Sequence, residues 1–122
     1  MVRTIRLFLL VEAASFGVAA TIHSGRLAAG YAHREAIIAE TEIALALTLG
    51  LLGSWMRPAS TRAAGLAAQG FALFWTLVGV FTIIVGIGPR TAPDVIYHAG
   101  IVIVLVAGLV TAWRARPPVR VV

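Results

Sequence analysis

The chain has 122 residues, of which 60% are hydrophobic and 12% charged, with a mean hydropathy of +0.95. A soluble domain of this length needs a polar surface that such a composition does not supply, so the sequence reads as a single-domain integral membrane protein. The net charge of +5 rests on ten arginines without a lysine. They gather at the ends of apolar stretches and form no basic face with interleaved aromatics, which argues against nucleic acid, and the lack of cysteine excludes disulfides and thiolate metal sites.

Four apolar stretches, at residues 5–24, 35–56, 62–87 and 94–113, are each long enough to cross a bilayer, which takes about 20 residues at ~1.5 Å rise. The first opens on Arg3 and Arg6 and runs to Val18-Ala19-Ala20, a pattern that imitates a signal peptide. Glu12 inside the run argues for a retained first span instead. A loop with Gly25, Gly30 and Tyr31 leads to the second span, which carries Glu40 and Glu42 in its first turns. Arg57-Pro58-Ala59-Ser60-Thr61 leads to the third, and Gly86 to Pro93 to the fourth, where Thr91 and Asp94 read as a capped helix start. Pro117-Pro118 closes the last span.

Connections this short predict an all-α fold, an antiparallel four-helix transmembrane bundle. The N-terminus, the loop at 57–62 and the C-terminus carry Arg3, Arg6, Arg57, Arg62, Arg114, Arg116 and Arg120; the opposite loops carry Arg26, Arg34 and Arg90. That asymmetry predicts a multi-pass protein of the inner or plasma membrane with both termini cytoplasmic. Small residues at Ala13, Gly17, Ala20 and Ser24 in the first span, and at Ala39, Ala46, Gly50 and Gly53 in the second, mark expected helix-packing faces.

Ionisable groups inside a span are costly, by ~2.5–3.5 kcal/mol at the centre on insertion scales, and so direct attention to function. Glu12 lies roughly 12 Å from the end of its span by helical rise. Gln69 lies at similar depth on a face of the third span shared with Gly65, Ala72 and Thr76, so the two are expected to hydrogen-bond across helices. Glu12 and His23 are eleven residues apart, nearly three turns, and share a face. Toward the other end lie His23, Glu40, Glu42 and His98. Glu40 and Glu42 must point about 200° apart. The small-residue face of the second span predicts that Glu42 points into the bundle, with Glu40 turned to a neighbouring subunit or paired with Arg34 or Arg90.

Glu12, Gln69 and Glu42 are thus the expected proton- or ion-binding residues. His23, His98 and Glu42 are candidates for a divalent metal or haem, although no Glu-x-x-His or His-x-x-x-His spacing supports a ligand set. His33 reads as a solvated loop residue, and Tyr97 and Asp94 as groups that cap the last helix and mark the interface. Ser15, Ser54 and Ser60 lack a histidine and an acid at matching depth, and Ser24 adjoins His23 but neighbouring helix residues do not face each other, so nucleophilic catalysis has little support. The expected function is proton- or cation-coupled transport in the lipid bilayer, as a homo-oligomer or part of a larger complex. An accessory or assembly subunit and a haem- or metal-binding redox protein are the alternatives.

Overall fold

The Ala- and Leu-rich runs between the turn sequences are free of interior proline, apart from one in a first turn. In an apolar setting a backbone that satisfies its own hydrogen bonds is favoured. A computed structural model, describing residues 1–115, resolves these runs into α1 (Val2–His23), α2 (Arg34–Met56), α3 (Thr61–Val85) and α4 (Ala92–Arg114), with a 3-10 turn at Pro58–Ser60. Each helix is long and apolar enough to cross a membrane, and the described residues contain no strand. Arg116, Pro117-Pro118 and Arg120 lie outside the described residues.

Polar side chains set the helix ends. The His33 ring accepts a bond from the Ala36 amide (3.3 Å) and so caps α2; it is half-buried rather than a freely solvated loop residue. Its own amide donates to the His23 carbonyl at 2.9 Å, which draws together the two ends of the loop between α1 and α2. Thr91 and Asp94 form a capping box at the start of α4, with the Thr91 amide donating to Asp94 Oδ2 at 3.0 Å. α3 stops at Gly86, whose φ of 85° ends the helix two residues before the apolar run does. In the other direction, α1 starts at Val2, ahead of its apolar run, because the early turns use arginine: the Arg6 guanidinium donates to Ser54 Oγ at 3.2 Å and to the Ser54 carbonyl.

Helix α1 packs on the other three helices, α2 on α3, and α3 on α4. At one end the start of α1 meets the end of α2 through Arg6 and Ser54. There the Arg62 guanidinium at the start of α3 lies 5.8 Å over the Trp113 ring near the end of α4. The buried stripe of α1 is Ile5, Leu9, Glu12, Phe16, Ala19 and His23; that of α2 is Glu40, Ile43, Leu47, Leu51 and Ser54. Both advance in the three- and four-residue steps of a helix face turned to a core. Large apolar side chains such as Leu7, Phe74, Phe81, Ile96 and Ile103 point outward, as suits a chain whose surroundings are as apolar as its core.

Of the glycines in the expected packing rows, Gly50 lies at a close helix approach and Gly17 and Gly53 do not. Nothing lies within 4 Å of where a Cβ would stand at Gly17 or Gly53, whereas at Gly50 it would be 2.6 Å from Ala68 Cβ and at Gly65 2.7 Å from Ile5 Cγ2. The close helix approaches therefore run through Gly50 and Gly65.

Candidate functional site

Two groups of buried polar side chains interrupt the core, and α1 contributes to both. In the first, Glu12 is fully buried, as is Gln69 of α3. The Gln69 amide nitrogen stands 3.3 and 3.2 Å from the two carboxyl oxygens, bridging both. Gly108 of α4 closes the third side: a Cβ there would overlap the Gln69 amide and stand 2.6 Å from Glu12 Oε1. The pocket is thus closed by backbone, and any larger residue at 108 would displace the pair. The Gln69 amide oxygen, equally buried, has no hydrogen-bond partner among the described residues.

The second group joins three helices. The His23 ring at the end of α1 places Nδ1 at 2.9 and 2.8 Å from the carboxyl oxygens of Glu40 on α2, and Nε2 at 3.2 Å from Asp94 Oδ1 on α4. All three side chains are nearly inaccessible. Asp94 serves twice, since its second oxygen accepts from Thr91 in the capping box while the first faces His23. A neutral imidazole carries one N–H, and two bonds to carboxylates need two protons. The row Glu40–His23–Asp94 is therefore built to hold one proton more than a neutral ring and two carboxylates would carry, whichever heavy atom bears it.

These contacts change the expected roles of several residues. Glu42 does not point into the bundle; it is exposed, while Glu40 is 5% exposed. Glu40 has neither Arg34 nor Arg90 as partner, both being exposed; the ion pairs among the described residues all involve histidine. The reason lies in α2, whose buried side is the stripe Glu40, Ile43, Leu47, Leu51 and Ser54, with the row Ala39, Ala46, Gly50 and Gly53 off that stripe. His23, His98 and Glu42 do not converge either. His23 uses both ring nitrogens on carboxylates, and the His98 ring lies against its own helix, Nδ1 donating to the Asp94 carbonyl at 2.7 Å. No group of three or more metal-ligating side chains among the described residues is arranged to hold a metal ion, and His23 has no free nitrogen for a haem iron.

Asp94 was the residue hidden by its capping role. It is the sole aspartate of the chain, and a capping box needs only one carboxyl oxygen. At a helix start level with His23, its second oxygen was the signal. Tyr97, one turn further on, packs edge-on against Phe16 with ring centroids 6.1 Å apart, and its buried hydroxyl is unpartnered among the described residues.

Comparison with protein families, with curated proteins and with solved structures finds no match to this chain.

Proposed function

We propose that the protein couples proton movement to transport across the bilayer, with Glu12–Gln69 and Glu40–His23–Asp94 as two proton- or cation-holding stations. The observation that carries this reading is their placement. Glu12 and His23 lie on one buried stripe of α1, eleven residues or about 16 Å apart by helical rise. Every other member of that stripe is apolar. Buried ionisable groups inside membrane helices are expensive and usually mark a pathway for ions or protons. Phe16 and Ala19 lie between the stations as a buried apolar layer, so transfer between them requires that layer to open, the kind of gating an alternating-access carrier uses.

Reconstituted liposomes with an internal pH-sensitive dye supply the test. The wild type is expected to dissipate an imposed pH gradient in the presence of its cargo, and Glu12→Gln to abolish that flux, because glutamine keeps the shape and hydrogen bonds but cannot exchange a proton. A wild type that stays silent with every small cation, yet co-purifies in mild detergent with other membrane proteins, would favour the accessory-subunit reading instead.

For orientation, we infer that both termini are cytoplasmic, since seven of the ten arginines in the sequence fall on that side. Reporter fusions after Ser60 and at Val122 are both expected to give cytoplasmic signals. An external signal from either would invert the bundle and place the His23 cluster toward the cytoplasm.

A further inference from the structure

Beside the His23 cluster, and sharing Glu40 with it, residues of all four helices and the turn after α3 line a cleft of about 330 Å³. Its walls are mainly apolar, with the rings of Phe16 and Trp75 and the side chain of Ile43. The polar residues on its lining are Glu35, Glu40, His33, His98, Thr76 and Thr82, and no arginine borders it among the described residues; the two threonine hydroxyls are engaged on their own helix, donating to the Ala72 and Gly79 carbonyls. The volume is at the lower end of the range for small-molecule sites, and an apolar pocket with a few convergent polar groups is their usual form.

The polar groups are biased toward one chemistry. His98 Nδ1 meets the Asp94 carbonyl at 2.7 Å. A carbonyl can only accept, so Nδ1 carries the hydrogen. In the neutral ring Nε2 is then an acceptor, and it faces Gly79 on the cleft wall, 3.5 Å from where a Cβ on that glycine would stand. Glu40 is also an acceptor: His23 Nδ1 occupies part of its lone-pair capacity and leaves the rest. Aromatic faces attract cations as well. Acceptors, π-faces and the net negative charge left on the Glu40–His23–Asp94 row, with two carboxylates to one imidazole, together describe a receptor for a hydrogen-bonding cation with an apolar body.

We propose that this cleft binds a protonated arylalkylamine, its ammonium on Glu40 with an N–H toward His98 Nε2 and its ring against Phe16 and Trp75. The inference shares Glu40 with the proposed His23 station, but it concerns equilibrium binding, which is read without any flux and so fails or holds separately from transport.

Calorimetry on the purified protein in detergent tests it, with 2-phenylethylamine, the neutral 2-phenylethanol and the quaternary trimethyl(2-phenylethyl)ammonium as probes. The amine is expected to bind about tenfold tighter than the alcohol, as a charge-assisted hydrogen bond to a sheltered carboxylate allows. It should also bind severalfold tighter than the quaternary ion, which has no N–H for His98. Glu40→Gln should erase the preference for amine over alcohol while leaving the alcohol's affinity nearly unchanged. Gly79→Val, whose Cβ is admitted by the spacing to His98 while its methyl groups fill the cleft, should weaken all three probes. Equal affinity for amine and alcohol, no binding of the amine at millimolar concentration, or a preference that survives Glu40→Gln would each overturn the proposal. Should Glu40→Gln fail to fold, Gly79→Val decides: amine binding that is unaffected there places the ligand elsewhere and sinks the cleft assignment.

Discussion

His23→Ala is expected to be the most damaging single substitution in the chain, lowering stability by about 3–5 kcal/mol, the usual cost of removing one partner from a buried ionic group. The imidazole is 4% exposed and ties α1 to α2 through Glu40 and to α4 through Asp94. Without it two carboxylates face each other across a cavity with no donor between them. Part of the damage should reach the start of α4, because Asp94 also holds the capping box with Thr91. Unfolding in detergent, followed by helical circular dichroism, measures the effect. Glu42→Gln is the control: the side chain is exposed, and its replacement should stay within ~0.5 kcal/mol of wild type. Equal losses from the two substitutions would show that the three-helix row contributes nothing particular to the bundle.

The Glu12 station separates shape from charge. Glu12→Ala leaves the buried Gln69 amide without its acceptor and opens a cavity beside Gly108, so a loss of ~1–3 kcal/mol for the unsatisfied group is expected, with a cavity contribution on top. Glu12→Gln preserves volume and lets two amides pair, so its stability should match the wild type closely. The difference between the two substitutions is the informative quantity. If both lower the unfolding midpoint equally, the carboxyl itself is a structural clamp, and transport by way of Glu12 loses its support. If alanine alone is destabilising while glutamine removes pH-linked flux, the carboxyl acts through its proton.

Much was legible from the residues in order. Length and hydropathy determined four helices that can cross a membrane, because a chain this apolar cannot cover itself with polar surface. Thr91 and Asp94 announced the start of α4, since capping is local chemistry within four residues. The pairing of Glu12 with Gln69 could be anticipated from depth alone, as two polar groups at one level in apolar surroundings have few other partners.

Which way α2 faces was decided only by the tertiary structure. In a membrane helix the lipid side and the core side are equally apolar, so hydropathy does not separate them, and the small-residue row turned Glu42 inward on paper. The folded bundle instead buries the stripe from Glu40 through Ile43, Leu47 and Leu51 to Ser54, because Arg6 fixes one end of that stripe and His23 the other. The same long-range contact gave Asp94 its second role. A residue's neighbours along the chain specify its cap, but residues 71 positions away determine whether its other oxygen meets water, lipid or an imidazole.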